Sequence, residues 1–337
     1  MNKELSYLTS LFGASGSEGD VRQAVLNEIK EHCDRIETDR LGNIIAFKRG
    51  SMESPVPLML CAHMDEVALM VTHIDSDGYL KFSAAGGVDP RILPGKHVVI
   101  GRHKLHGVIG VLAPHLVRAE EEKAPRMEEL FIDIGAQNRE EAEQNVSVGD
   151  MVGFDSDYQE FGAGLVRAKA LDDRAGCYIL IELIKKELPF DAYFVFTVME
   201  EIGCLGAKTA AYSVQPQIAL VIEGTTAGDI HTEKNETPVC SIGAGPVISF
   251  MDHSAIYDRA LYRLALEAAG EAHIPVQTKE AVAGGNESGT IQGTWGGCRV
   301  LAVSVPCRYI HSPVSVASLR DIENTEKLVH AILKRLF

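Results

Sequence analysis

The sequence lacks the long apolar runs and paired cysteines that mark membrane proteins and disulfide-rich proteins. No window approaches the ~18 uncharged apolar residues of a membrane-spanning helix, and Met1–Leu5 contain no apolar signal core. The seven cysteines are odd in number and include no Cys-x-x-Cys pair, which favours a reducing compartment over a disulfide framework. We therefore expect a soluble, cytoplasmic protein without a membrane partner.

Positive charge and aromatic side chains are also scarce. Against 47 Asp and Glu there are 32 Lys and Arg, so the formal net charge is −15. Such a field repels nucleic acids and anionic membrane surfaces, so neither is expected as a partner. Aromatic residues make up 6%, with one Trp, and offer few surfaces for stacking sugars. The 337 residues are enough for two domains, or for one large domain with an insertion.

Apolar runs that alternate with amphipathic segments favour an α/β fold in both terminal parts of the chain. The predicted strands are 43–47, 57–62, 194–198, 218–222 and 299–304, and the predicted helices are 17–31, 176–187, 206–212, 256–272, one within 281–293 and a final one capped by Ser315. Residues 67–166 show short runs between turn signals, which predicts an inserted small all-β domain. Within it, the charged run 118–123 is interpreted as a solvated loop.

Polar residues follow several of the predicted strands. Glu200 and Glu201 come after strand 194–198 and should face different groups, because neighbouring strand residues point to opposite sides. The other such positions are His63, Asp65, Asp172, Asp173, Glu223 and His311. These side chains are expected to converge, since ligands bind at the carboxyl edge of open α/β sheets. Two histidines and several carboxylates are what a pair of zinc-like ions requires.

Each of these residues also has a structural interpretation when it is taken alone. The histidines could be satisfied core residues, Asp172 and Asp173 a helix cap, and Glu223 an ion-pair partner. The pair Glu200 and Glu201 could be an exposed acidic turn. A series of such coincidences at successive strand ends is improbable, so the sequence favours a metal site.

Four blocks of the sequence contain all of these polar residues except Glu223. They are Ala62-His-Met-Asp-Glu66, Ala170-Leu-Asp-Asp-Arg174, Glu200-Glu-Ile-Gly203 and Arg308-Tyr-Ile-His-Ser-Pro313. In order and spacing they resemble the glutamyl aminopeptidase and tetrahedral (TET) aminopeptidase family of di-metal peptidases. The resemblance implies a three-layer α/β/α sandwich with a mixed sheet of the zinc-peptidase type. Residues 1–66 and 167–337 would form the catalytic domain, and 67–166 a β-barrel dimerisation domain. It also implies a homo-oligomer built from dimers, up to a hollow dodecamer.

The resemblance assigns a role to each residue of the expected site. His63 and Glu223 would bind one ion, Glu201 and His311 the second, and Asp172 both. Glu200 would be the general base, and Asp65 would orient the ring of His63. The peptide between Asp172 and Asp173 is expected to be cis. The cofactors would be two divalent ions, Zn²⁺ or Co²⁺ with Mn²⁺ possible, and the substrates small peptides.

The chain departs from the family pattern at positions that are expected to border the substrate pocket. Glu223 stands where Asp is common, Asn286 and Glu287 where Thr and Asp are common, and Ser315 where Glu is common. Arg308 is a candidate basic group for an acidic substrate side chain, with a structural ion pair as the alternative. The preferred N-terminal residue therefore does not transfer from a relative.

Four functions are compared on these grounds. The leading one is a cytoplasmic metallo-aminopeptidase acting on small peptides. The second keeps the metal site but makes the enzyme a di-zinc carboxypeptidase or an N-deacylase. The third is a glucanase, a label sometimes given to this family, but its two carboxylates should stand ~5–9.5 Å apart across a sugar cleft. Adjacent strand residues do not fit that. The fourth, a non-catalytic scaffold, is disfavoured because every expected ligand type is present.

Overall fold

The computed structural model describes residues 2–113, 124–230 and 238–337, so the charged run 118–123 lies outside the described residues. The strands in chain order are β1 Arg35–Thr38, β2 Ile44–Lys48, β3 Leu58–His63, β4 Ala68–Ile74, β5 Leu80–Ala85, β6 His97–Ile100, β7 Leu105–Gly110, β8 Phe131–Asp133, β9 Met151–Phe154, β10 Gln159–Phe161, β11 Leu165–Ala168, β12 Ala192–Thr197, β13 Ile218–Thr226, β14 Val247–Ile248, β15 Gln277–Thr278, β16 Arg299–Arg308 and β17 Ser315–Ser318. The helices are α1 Lys3–Ser10, α2 Gly19–Ile29, α3 Arg139–Glu143, α4 Leu171–Ile184, α5 Leu205–Val214, α6 Arg259–Glu271, α7 Glu287–Gln292 and α8 Leu319–Leu333. None of these helices is long and apolar enough to cross a membrane.

A mixed sheet of 11 strands forms the centre of the molecule. Its main path runs β1-β2-β12-β3-β13-β16-β17-β11-β10, with β3, β12, β13 and β16 parallel to one another and β2 and β17 antiparallel to their neighbours. Side chains of β3 alternate between the two faces: Leu58 and Leu60 belong to the core that includes α1, α2, α4, α6 and α8, while Met59 and Cys61 belong to the core that includes α5 and α7. Because both faces are covered, the central strands are largely apolar up to their carboxyl ends. The predicted three-layer α/β/α fold is confirmed.

The second unit is a closed antiparallel barrel in the order β4-β5-β8-β7-β6-β9. Its core is separate from that of the sheet and includes Leu69, Leu80, Val98 and Ile132. The barrel strands lie between Ala68 and Phe154, inside the predicted insertion 67–166. Strand β10, near the end of that range, pairs with β11 in the large sheet. The exact domain boundaries and the dimerisation role stay predictions.

The final helix begins three residues later than the sequence suggested. Ser315 was expected to cap it, but Ser315 is the first residue of β17 and its hydroxyl donates to the Ala168 carbonyl over 3.1 Å. The cap of α8 is Ser318, whose Oγ accepts from the Asp321 amide. The prediction was wrong because Ser-Val-Ala-Ser contains two serines with equal capping ability, and pairing with β11 and β16 decides between them.

A buried charged network connects the first helix, the end of β3 and the start of α4. Lys169 Nζ donates to both carboxylate oxygens of Glu66, over 2.7 and 2.9 Å, and to the Leu11 carbonyl over 2.6 Å. Arg174 donates from Nε to the Met64 carbonyl over 2.8 Å and lies 3.4 Å from Glu66 Oε1. All three charged side chains are buried. They therefore fix the segments that carry His63, Asp65 and Asp172.

We predict that Lys169→Met destabilises the protein by about 3 kcal/mol, because it leaves the buried Glu66 carboxylate without its main cation. The matched control is Lys186→Met, which removes a pair with Glu326 from a lysine that is 42% exposed, and should cost under about 1 kcal/mol. Chemical denaturation of both variants checks this. Equal losses of stability would contradict it.

Candidate active site

The polar residues singled out in the sequence meet at the carboxyl edge of the large sheet. His63 is the last residue of β3, and Glu223 lies within the parallel neighbour β13. Glu200 and Glu201 follow β12, which is parallel to β3 on its other side. Asp172 enters from the start of α4. Parallel pairing brings these chain-distant residues to one edge, where α/β folds bind ligands.

The first group of side chains surrounds His63. Its Nε2 lies 3.3 Å from Glu223 Oε1 and 3.5 Å from Asp172 Oδ1. All three residues are buried. Asp173 also offers an oxygen within 4.8 Å of ligand atoms of His63 and Glu223. An imidazole nitrogen and carboxylate oxygens at this spacing could hold a divalent cation.

The second group contains His311. Its Nε2 lies 3.3 Å from Glu201 Oε2 and 3.7 Å from Asp172 Oδ2. Asp172 therefore directs one oxygen toward each histidine, as a carboxylate shared by two ions must do. Gly224 makes room for it, because a Cβ at that position would lie 2.7 Å from Asp172 Oδ1. The Asp172–Asp173 peptide is cis, as expected.

Asp65 does more than the sequence suggested. Its Oδ1 lies 3.4 Å from His63 Nδ1 and accepts from the Glu200 amide over 2.9 Å. Its Oδ2 accepts from the Ser15 hydroxyl over 2.6 Å and from the Glu201 amide over 3.1 Å. Burial opposes ionisation of Asp65, but the contact with His63 and the hydrogen bonds from Ser15 and Glu200 outweigh it and lower the pKa. Asp65 thus joins the ring of His63 to the backbone of both glutamates.

The loop before α2 supports the same strand end and was not predicted from the sequence. Glu18 Oε1 accepts from the Gly16 amide over 2.7 Å and from the Met199 amide over 3.2 Å. Glu18 and Ser15 are both buried. The turn residues around Gly16 were the available signal, but nothing local shows that this turn reaches Met199, 183 positions later than Gly16 along the chain.

The site is rich in negative charge that the protein alone does not neutralise. Among the described residues, several buried carboxylate oxygens have no hydrogen-bond donor: Asp172 Oδ1, Asp173 Oδ2, Glu223 Oε2 and both oxygens of Glu287. Burial raises the pKa of Glu201 and of Glu223 well above the usual range, and the charge of Asp172 adds to both. Uncompensated buried anions are costly. The residues present therefore fit bound cations.

The three positions assigned to the substrate pocket lie in different surroundings. Arg308 donates from Nε and Nη2 to the two carboxylate oxygens of Asp229, each over 2.7 Å. This is the structural ion pair that was the alternative to a substrate-binding role. Asn286 caps α7 by accepting from the Ser288 amide over 2.9 Å. Glu287 is completely buried, and burial raises its pKa to about 7. Their roles toward a substrate stay predictions.

An open cleft of about 700 Å³ adjoins His311 between the barrel and the loop 309–314. Residues from both units line it, among them Gly87, Lys96, Asp157, Arg167, Tyr309 and Pro313. His311 is 40% exposed at its side chain, whereas His63 is 1% exposed. A cleft of this volume accommodates a ligand of a few residues, and the His311 side of the site is the accessible one.

The mixed sheet, the barrel and the histidine–carboxylate cluster define an α/β protein whose sheet edge carries groups that could hold metal ions. A family profile described as M42 glutamyl aminopeptidase matches residues 42–328. The chain belongs to this family and is an aminopeptidase, a hydrolase. The resemblance drawn from the four sequence blocks is confirmed.

Relatives and solved structures agree with this family over nearly the whole chain. A protein of Acetivibrio thermocellus, provisionally named an aminopeptidase, is 41% identical and the match covers 96% of each chain. Lysyl aminopeptidase of Pyrococcus furiosus is 34% identical, over 96% of this chain and 94% of its own. A TET aminopeptidase from a marine sediment Thaumarchaeota archaeon has a TM-score of 0.95 at 34% identity, over 99% of this chain and 96% of its own. The TET1 peptidase of Pyrococcus horikoshii, which can assemble into a tetrahedron or a large octahedral shell, has a TM-score of 0.86 at 36% identity over 98% of each chain.

We predict that Asp65→Asn weakens divalent metal binding by about 10- to 100-fold while the fold is retained, because partners behind a metal-binding histidine have effects of this size. Asparagine replaces one carboxylate oxygen with an NH₂ group. That group is a donor, and it would face groups that themselves donate to Asp65 in the unchanged protein. Competition with a chromophoric chelator measures the affinity. Asp75→Asn, in a barrel turn, is the control. Equal affinity in both variants would contradict the role of Asp65.

Glu287 should make the stability of the metal-free protein depend on pH. Its raised pKa means that the folded state holds the proton more tightly than the unfolded state, whose ordinary value is 4.5. The stabilisation is complete below pH 4.5 and is lost as the pH rises through about 7. As the pH rises from 4.5 to 8, the free energy of unfolding of Glu287→Gln should therefore increase by about 3 kcal/mol relative to that of the unchanged protein. Denaturation of chelated protein at several pH values checks this, with exposed Glu31→Gln as control. A pH-independent difference would contradict it.

Proposed function

We propose that the protein is a metal-dependent aminopeptidase that removes N-terminal residues from small peptides. The observation that carries the proposal is Asp172, whose two oxygens face His63 and His311, each of which has its own glutamate. Family membership supports the aminopeptidase activity, and the adjoining cleft supports a small peptide as the substrate.

In this proposal two divalent ions, Zn²⁺ or Co²⁺ with Mn²⁺ possible, are the cofactors. His63, Glu223 and Asp172 would hold one ion, and Glu201, His311 and Asp172 would hold the other. When bound, the ions would polarise the scissile carbonyl and acidify a water molecule. Mixed imidazole and carboxylate donors suit these metals. Glu223 reaches one methylene further than the more common Asp and can affect which metal is preferred.

Glu200 is the proton carrier in this mechanism. It stands beside the ligand Glu201 and offers an oxygen within 4.8 Å of ligand atoms of His63 and Glu201. In the proposal it is the base and not a ligand, because His63 and Glu201 have other carboxylates and histidines as closer partners. Burial raises the pKa of Glu200, and the charges of Asp172 and Asp65 add to the rise while His63 opposes it. A carboxylate with a raised pKa accepts a proton more readily. Glu200 takes the proton of the attacking water, and the water oxygen bonds to the carbonyl carbon. As the C–N bond breaks, Glu200 returns the proton to the leaving amine.

The surplus carboxylates also favour a free α-amino group as the feature that the enzyme recognises. Asp65 and Glu200, which lie outside the proposed ligand set, would attract an ammonium and repel a terminal carboxylate. The candidate cation Arg308 is paired with Asp229. These charges favour an aminopeptidase over a carboxypeptidase or an N-deacylase. Comparing peptides with free and acetylated amino termini separates these activities, and faster cleavage of the acetylated form would contradict the proposal.

We further infer a cytoplasmic homo-oligomer that is built from dimers, up to a dodecamer. The shells formed by the TET1 peptidase of Pyrococcus horikoshii support the assembly. The barrel within 67–166 is the proposed dimerisation domain, and 1–66 with 167–337 the catalytic domain. All seven cysteines are free, which supports a reducing compartment.

We predict that Glu200→Gln lowers kcat on aminoacyl chromogenic amides by at least about 100-fold, the usual size of a general-base contribution. Two metal ions per chain should remain, because the side chain at 200 is not a ligand. Activity after chelation and return of Zn²⁺ or Co²⁺, together with elemental analysis, checks both parts. Full activity of the variant would sink the mechanism. Glucan hydrolysis that survives chelation would support the glucanase alternative instead.

A further inference from the structure

The loop after β12 forms a tight turn that brings its end back onto Glu200. The amides of Gly203 and Cys204 both donate to the Glu200 carbonyl over 2.9 Å, and the Leu205 amide donates to the Met199 carbonyl over 3.1 Å. Met199 and Cys204 have φ angles of 55° and 54°, in the left-handed region that side chains disfavour. Such strain persists where surrounding contacts over-determine the backbone, often at functional sites. The turn directs the Cys204 side chain at Glu200.

The thiol of Cys204 contacts the Glu200 carboxylate. Sγ lies 3.3 Å from Oε1 and donates to it. It is the only hydrogen-bond donor to this carboxylate among residues 2–113, 124–230 and 238–337. By contrast, Glu201 faces His311. The orientation of the Glu200 side chain therefore depends on Cys204.

The surroundings keep this thiol protonated. Burial raises the pKa of Cys204 far above its usual range, and the charges of Glu200 and Glu287 raise it further. A protonated thiol is a hydrogen-bond donor and a poor nucleophile. Cys204 and Cys33 are half-buried, whereas the other five cysteines are buried. The chain thus offers Cys33 as a matched thiol away from Glu200.

We propose that Cys204 is a positioning residue for the general base: its thiol holds Oε1 of Glu200 and leaves Oε2 to exchange the proton. The inference rests on the proposed role of Glu200. Cys204 is neither one of the proposed metal ligands nor the proposed base. The side chain acts through Glu200 and does not touch the substrate.

The first test compares Cys204→Ala, Cys204→Ser and the control Cys33→Ala in the metal-loaded enzyme. Cys204→Ala should lower kcat by about three- to ten-fold, the effect of one hydrogen bond, with KM unchanged. Cys204→Ser should recover most of kcat, since a hydroxyl also donates. Cys33→Ala should match the unchanged protein. Equal kcat in Cys204→Ala and Cys33→Ala would overturn the inference, provided that Glu200→Gln is inactive.

The second test measures the contact without catalysis. In a Cys33→Ala background loaded with Zn²⁺, iodoacetamide labelling of Cys204 is followed by mass spectrometry. Adding Glu200→Gln removes a negative charge beside the thiol, so labelling should accelerate by about ten-fold. An unchanged rate would overturn the inference. Full activity of Glu200→Gln would instead overturn the proposed function, and the catalytic part of this inference with it.

Discussion

The arrangement of the site depends on the completely buried carboxylate of Asp65. It touches the ring of His63 at the end of β3, accepts from the backbone of Glu200 and Glu201 after β12, and accepts from Ser15 in the loop before α2. Strand pairing fixes β3 beside β12 but not the loops beyond their ends. Asp65 fixes those loops, because both of its oxygens are used by donors from different segments. Asp65 thus fixes the positions of His63, Glu200 and Glu201, although the proposed roles of the two glutamates differ.

The second constraint is electrostatic. Burying His63 among Asp172, Glu223 and Asp65 raises its pKa even though burial alone would lower it, so the local field is strongly negative. Hydrophobic burial in the remainder of the sheet offsets the cost of this cluster in the free energy of folding. Nearby charges such as Lys169 and Glu66 add no further cost of this kind, because they neutralise each other. The same excess that costs stability is what attracts cations and an α-amino group. Stability and the proposed function therefore make opposite demands on these residues.

Much of this could be predicted from the sequence, and the exceptions have physical reasons. Apolar runs that end near His63, Glu200 and Glu223 predict a polar site, because the carboxyl ends of parallel strands lie at the same edge of a sheet. The bonds from Asp65 to Ser15 and to the glutamate amides could not be predicted, since they join segments that only folding brings together. The burial of Glu287 by the short helix α7 was not predicted either, and its role toward a substrate stays a prediction. The position of the last helix was missed because strand pairing, a long-range effect, decides between Ser315 and Ser318.

The central claim is that Asp172 is shared between two ions, one beside His63 and one beside His311. Anomalous diffraction from crystals of the protein loaded with Zn²⁺, recorded on both sides of the zinc absorption edge, tests it most directly. The account predicts two peaks ~3.5–4 Å apart, with one oxygen of Asp172 directed to each. A single peak, or peaks that do not involve Asp172, would contradict it.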